Sequence, residues 1–283
     1  MRPYVMAEDL YQHKLAVILG RGKRLKNILK KYPTEKKFKS ASIEEIAEVI
    51  GIKNNNSSIL KKLNKIDITY DRMVTFMVNP RASKKPRATR IMGIDTEYLK
   101  SELDLIQYII MDEFKYITSG IIFTNNKLAH SVSISEGITY LRKIINKYNP
   151  ELIVGHNFNS DISILEAAYK DELPELYYYD DTMELMKQSN LSNIIGSSSL
   201  DTTVKELFDV DVIGLFTAYN SIDLLVEYGI KDALYAICLR YFILNGSIPV
   251  INFKLKLGNI LKKQNRSLLK EDEFNIILEQ KGG

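Results

Sequence analysis

Arg90-Ile91-Met92-Gly93-Ile94-Asp95-Thr96-Glu97-Tyr98 is an apolar run interrupted by two acidic residues set two apart. Its character is that of a buried strand. Side chains alternate across a strand, so Asp95 and Glu97 project from the same face. Downstream, residues 103–111 and 116–123 are apolar with β-branched and aromatic members, and two more strands follow. Residues 138–148 carry apolar side chains at Leu141, Ile144, Ile145 and Tyr148, a helical stripe that Pro150 ends. Leu152-Ile153-Val154 makes a short buried strand that runs into His156-Asn157-Phe158-Asn159-Ser160-Asp161. Strand, polar loop, helix is a frame on which sites are built. Residues 162–169 continue as helix, residues 177–179 as a last strand, and residues 200–208 and 222–245 as helices. This order defines an α/β domain over residues 91–250.

Charge divides the chain. Residues 1–90 hold 21 Lys and Arg against 8 Asp and Glu, a balance of +13, whereas residues 91–250 hold 11 against 23, a balance of −12. A basic front of this size points to a polyanion partner, because neutralising phosphates releases counterions. A solvated lysine-rich surface is the alternative. The acidic middle would repel nucleic acid unless divalent cations neutralised it. Cys238 is the single cysteine, so no internal disulfide forms and a reducing, cytoplasmic setting is expected. The apolar stretch over residues 234–244 contains Arg240 and is too short to span a bilayer, and Glu8, Asp9 and Lys14 argue against a signal peptide. No membrane association is expected. Residues 79–90, with two prolines and five basic residues, read as a linker after a helical domain over residues 1–78, and residues 251–283 read as a basic helical extension and tail.

Further acidic residues complete a pattern with Asp95 and Glu97. Asp161 follows the short strand, and Tyr228-Gly229-Ile230-Lys231-Asp232 places a phenol and a carboxylate four apart, on one helix face. Phosphodiester hydrolysis by two metal ions needs several anionic oxygens converging on cations about 3.5–4 Å apart. Four carboxylates without cysteine or paired histidines favour two hard ions, Mg2+ or Mn2+, over zinc. Asp161 alone is equally a helix cap. His156 is read as a loop or packing residue, Asp180 and Asp181 as cleft or cap residues, and Tyr177, Tyr178 and Tyr179 as candidates for base stacking.

Asp95-Thr96-Glu97, His156-Asn157 with Asp161, and Tyr228 with Asp232 resemble the three exonuclease motifs of the DEDD superfamily, tyrosine branch. The surrounding Tyr148-Asn149-Pro150-Glu151-Leu152-Ile153-Val154-Gly155, Ser199-Leu200-Asp201-Thr202-Thr203-Val204-Lys205-Glu206-Leu207 and Glu227-Tyr228-Gly229-Ile230-Lys231-Asp232 are similar to the proofreading domain of family B DNA polymerases. The resemblance covers roughly residues 90–245 and implies an RNase H-like fold, a mixed five-stranded sheet flanked by helices, and stepwise removal of nucleotides from a 3′ end. It also implies that Asp95, Glu97 and Asp232 hold one metal and that Asp95 reaches a second. Asp161 would act through metal-bound water, Tyr228 with Glu97 would orient the attacking water, and Asn157 would lie beside the substrate strand. Glu227 stands where the histidine branch has its histidine, and Ser160 where phenylalanine is common.

In the small all-α front, Leu19-Gly20-Arg21-Gly22-Lys23 precedes an amphipathic stretch over residues 24–32, and a second unit with Gly51-Ile52-Lys53 spans residues 43–63. The pair resembles tandem helix-hairpin-helix motifs. Backbone N–H groups at Gly20 and Gly22 would face a phosphate, with Arg21 and Lys23 supplying charge; in the second copy Lys53, also a candidate nucleic-acid contact, stands where the usual second glycine would be, and a helical bundle with ordinary glycine turns is the alternative. Together these features lead to a metal-dependent 3′–5′ exonuclease on nucleic acid, DNA and single strands in preference, with a replication or repair protein as partner. A non-catalytic nucleic-acid-binding protein or an RNA-directed exonuclease are the competing readings.

Overall fold

In the computed structural model, residues 10–54, 57–73, 88–99, 102–124, 131–168, 179–208, 210–256 and 273–278 of the 283 are described. The expected linker lies largely outside them, as do Tyr177 and Tyr178. The front of the chain contains helices α1 (Leu10–Leu19), α2 (Lys23–Lys31), α3 (Glu35–Lys39), α4 (Ile43–Ile50), α5 (Ser58–Asn64) and α6 (Ile66–Met73). Local chemistry sets several of their ends. Ser42 and Glu45 form a reciprocal capping box on α4, which closes at Gly51 in a left-handed conformation. Leu15, Ile28, Phe38, Ile46, Leu60 and Leu63 fill the core between the helices. At its edge Lys14 and Lys39 both pair with Glu35 and Asp67.

The rest begins with β1 (Arg90–Leu99), β2 (Glu102–Asp112) and β3 (Lys115–Phe123), an antiparallel meander. Helix α7 (Ile134–Tyr148) crosses to β4 (Leu152–Gly155), then α8 (Phe158–Ala168) to β5 (Tyr179–Asp181). Both β4 and β5 run parallel to β1, giving a mixed five-stranded sheet in the order β3-β2-β1-β4-β5. Short helices α9 (Thr182–Gln188), α10 (Leu191–Ile195), α11 (Leu200–Leu207) and α12 (Leu215–Ala218) lead into the long α13 (Ile222–Asn245). The sheet is thus α/β with flanking helices, as the hydrophobic pattern requires. Within residues 251–283, the described residues depart from the helical expectation: β6 (Ile251–Lys256) and β7 (Glu273–Leu278) form an antiparallel pair. The alternation of Ile251, Phe253 and Leu255 with polar residues gives the physical reason, a period of two rather than 3.6.

Alternation divides the core between two faces. Ile91, Leu105, Ile109 and Met111 pack with α13, whereas Met92, Ile94, Ile106, Tyr108 and Ile110 pack with α7 and α8. Residues 232–240 of α13 are buried without exception, including Cys238, which fits a helix enclosed on most sides. Arg240 is buried there too, and its Nε donates to Asp180 Oδ2 at 2.6 Å. A buried guanidinium is tolerable because it is paired.

The helical front is joined to the sheet domain through α10. His13 Nε2 lies 2.5 Å from the Ile194 carbonyl, Arg21 Nε donates to the Ile195 carbonyl at 2.9 Å, and Arg21 Nη1 sits 3.6 Å from Glu206 Oε1. Gly196, with φ at +71°, lies so near α1 that a Cβ on it would stand 2.5 Å from the Ala16 carbonyl oxygen. Asn190 adds a hydrogen bond to the Met73 carbonyl.

Candidate active site

Asp95 and Glu97 lie near the C-terminal end of the central strand β1, on the face that meets α13. Thr96 points the other way, and its Oγ1 donates to Asp161 Oδ1 in the first turn of α8. One strand therefore positions three of the four motif carboxylates, two directly and one through a threonine. Asp95, Thr96, Glu97, His156, Asn157 and Asp161 line a cleft of about 320 Å³, closed on one side by Tyr98 and Leu215. Its position at the carboxyl ends of β1 and β4 is where α/β sheets place their ligands.

The remaining two residues come from α13. A Cβ on Gly93 would stand 2.1 Å from the Ala233 carbonyl oxygen, so the glycine lets the helix backbone approach the strand. The neighbouring Asp232 comes near enough to Asp95 for its charge to raise that acid, and the Tyr228 hydroxyl interacts with both Glu97 and Asp232. Asp232 and Tyr228 line a small recess of their own rather than the main cleft.

Burial raises all four acids, and the charge of a neighbouring acid adds to it in each. Asp95 is held well above the usual carboxylate range by burial and then by the charges of Asp232, Glu97 and Asp161. Burial lifts Glu97 to about 7, against the lowering effect of its Tyr228 hydrogen bond. Asp161 also rises to about 7, opposed by Thr96, and burial with Asp201 nearby takes Asp232 to about 8. Tyr228 is pushed upward by burial and by Asp232, Glu97 and Asp95, so it stays a hydrogen-bond donor at neutral pH.

The loop after β4 is organised by residues whose role the sequence left open. Asp181 caps α9 through the Met183 N–H and accepts the N–H groups of Asn157 and Asn159 at 3.0 and 3.3 Å. It thereby fixes Asn157, which adopts a left-handed φ of 57° at the cleft rim. His156 is a packing residue, as read from the sequence: Nδ1 meets Thr182 Oγ1 and Nε2 meets the Ser198 carbonyl, both at 2.8 Å. Burial lowers its pKa. Asp180 faces Arg240 rather than the cleft, and Tyr179 is exposed and donates its hydroxyl to Asn159 Oδ1. Asp201 and Asp104, the latter bonded by the Tyr219 hydroxyl at 2.9 Å, extend the negative field around Glu97. A lone acid, in a helix as Asp201 is or in a strand as Asp104 is, carries no sequence signal for such a place.

The donor set suits a hard divalent cation. It consists of carboxylate oxygens, and Asp95 Oδ2 is buried without a hydrogen-bond partner among the described residues. Among the same residues no three His, Cys, Asp or Glu side chains stand together closely enough to enclose one ion. The carboxylates are instead divided between the cleft and the Tyr228 recess.

The front contributes differently from the sequence expectation. Gly20 takes φ +71° and its N–H closes α1 on the Ala16 carbonyl, while Arg21 turns onto α10 and α11. Gly22, Lys23 and Lys53 are exposed. The larger basic surface is α2, where Leu25 and Ile28 are buried and Lys23, Arg24, Lys26, Lys30 and Lys31 lie toward solvent. Among the described residues, no helix is long and apolar enough to cross a membrane. No protein-family model and no curated protein matches this chain.

Proposed function

We propose that the chain is a metal-dependent 3′–5′ exonuclease of the tyrosine branch of the DEDD superfamily, with an RNase H-like fold, acting on DNA and on single strands in preference. One observation supports the reading: three motif acids line one cleft at the end of β1, and Tyr228 and Asp232 of α13 lie in a neighbouring recess within electrostatic reach of them. Asp95, Glu97 and Asp232 would hold one Mg2+ or Mn2+, and Asp95 would also reach a second, toward which Asp161 would act mainly through water. When bound, such ions supply Lewis acidity to the attacking water and to the leaving oxygen.

The chain's own groups have distinct tasks. Tyr228, kept protonated, donates a hydrogen bond and orients; it is no base. Thr96 holds Asp161, Asp181 holds the Asn157 rim, and Asn157 is placed to touch the substrate strand. The outer face of α2 offers five cations, Lys23, Arg24, Lys26, Lys30 and Lys31, to the phosphate backbone, which supports an N-terminal surface that holds nucleic acid near the cleft. A role in replication or repair, with a protein partner from either process, follows from a DNA substrate.

The test is incubation with end-labelled DNA and RNA strands, single and duplex, in Mg2+, Mn2+ or chelator. Metal-dependent shortening from the 3′ end of single-stranded DNA is expected, and Asp95→Ala or Asp232→Ala should reduce it below detection while oligonucleotide binding persists. The separation of the acids between two recesses favours one second reading, a nucleic-acid-binding protein that retains the fold without catalysis. Binding without shortening in any metal would establish that reading and reject the first.

A further inference from the structure

Gln107 lies in the middle of β2, fully enclosed, and neither its amide oxygen nor its amide nitrogen has a hydrogen-bond partner among the described residues. An unpartnered buried amide is destabilising, so its presence calls for an explanation. Packing does not supply one. The residues beside it on the same face of β2, Leu105 and Ile109, belong to an apolar core, where a leucine or methionine would fill the place without a desolvated amide.

Its surroundings do supply one. Gln107 is directly opposite Asp95 in the antiparallel register. The two side chains therefore share the α13 face, with Cβ atoms about 5 Å apart. Asp95 contributes the other orphan, its buried Oδ2. From above, α13 closes on the glutamine: a Cβ on Gly229 would stand 2.2 Å from Gln107 Cγ and 2.5 Å from Nε2. A glycine inside a helix is unfavourable, and this one clears the volume that the amide occupies. Gly229 follows Tyr228 and lies three residues before Asp232. The amide is thus lodged between the strand that carries the first two acids and the helix that carries the last.

We infer that Gln107 is a positioning residue of the cation site: through one ordered water it donates to one lone pair of Asp95 Oδ2 and so fixes how that carboxylate is turned toward a divalent ion. Gln107 Nε2, Gln107 Oε1 and Asp95 Oδ2 give such a water three polar partners, the number a buried water ordinarily has. Groups that orient a ligand in this way ordinarily change metal affinity about 10- to 100-fold when removed. This inference rests on the cation site proposed above.

Mn2+ binding to the full chain, followed by calorimetry and by the electron paramagnetic resonance of the ion, tests it in wild type, Gln107→Met and Gln107→Leu. The two variants guard against one failing to fold. Mn2+ affinity should fall about tenfold or more, while the metal-free melting temperature stays level or rises because an unpaired amide has gone. Unchanged affinity in a folded variant overturns the role of Gln107 alone. A fall in affinity that only tracks a fall in metal-free stability marks the residue as packing and also overturns it. Should wild type itself bind no Mn2+, the cation site and this inference fall together.

Discussion

Glu97, Asp161 and Asp232 hold protons up to about pH 7 to 8, and Asp95 is raised in the same direction. In the unfolded chain the same groups release theirs near pH ~4. Between these limits the metal-free folded state binds more protons than the unfolded state, so its stability falls as pH rises, by about 1.4 kcal/mol per pH unit for each extra proton held. His156 acts in the opposite sense: its lowered pKa costs stability as pH falls below about 6.5. A series of melting temperatures from about pH 6.5 to 8.5 therefore isolates the acids. With chelator the melting temperature should decline across this range, and with Mg2+ the decline should flatten because the ion displaces the protons. A flat profile in chelator would mean that the acids are ordinary surface groups. Spacing makes these four residues legible, since strand and helix periods place them on defined faces. Asp181 is legible as a cleft or cap residue, but its hold on Asn157, the hold of Thr96 on Asp161 and the place of Gln107 opposite Asp95 are not, because the members of each pair lie 12 to 65 positions apart in sequence.

Elements set the distance across which those residues meet. The contact of Gly93 with the Ala233 carbonyl is backbone against backbone, so no side-chain rotation can relieve an added methyl. Gly93→Ala is expected to cost about 3 kcal/mol in urea denaturation, the upper part of the range for overpacking, and to weaken cation binding by moving Asp232 away from Asp95. A change under about 0.5 kcal/mol, the scale of an innocuous surface substitution, would show that α13 does not depend on this approach. The periodic elements β1 to β4, α7 and α13 are plain from hydrophobic pattern. Helices α9, α10 and α12 are not, for seven, five and four residues hold too few turns to show a period. In β6 the alternation is readable, but its two lysines favour the reading of a basic helix over that of a strand.

Across the whole molecule, the basic front is divided between a joint and a free face. Arg21 belongs to the joint, where the sequence alone could not pair it with the distant Glu206. Lys26 and Lys30 belong to the outer face of α2. Charge reversal should separate the two roles. Lys26→Glu with Lys30→Glu should weaken single-stranded DNA binding and reduce the slope of log affinity against log salt by about 0.7 for each phosphate no longer neutralised. Arg21→Glu should instead lower the melting temperature and leave that slope in place. Equal effects of the two on the salt slope would return the phosphate contact to the Gly20 to Gly22 turn.

Cys238 lies fully buried in α13, and burial pushes its thiol pKa upward. The chain thus carries a single, silent thiol in the helix that positions Tyr228 and Asp232. A thiol reagent can reach it only when that helix leaves the sheet, so the rate of labelling under native conditions times the separation of α13 from the strand that carries Asp95 and Glu97. Labelling faster in Gly93→Ala than in wild type, and slowed by Mg2+, would report that separation directly, without substrate and without turnover.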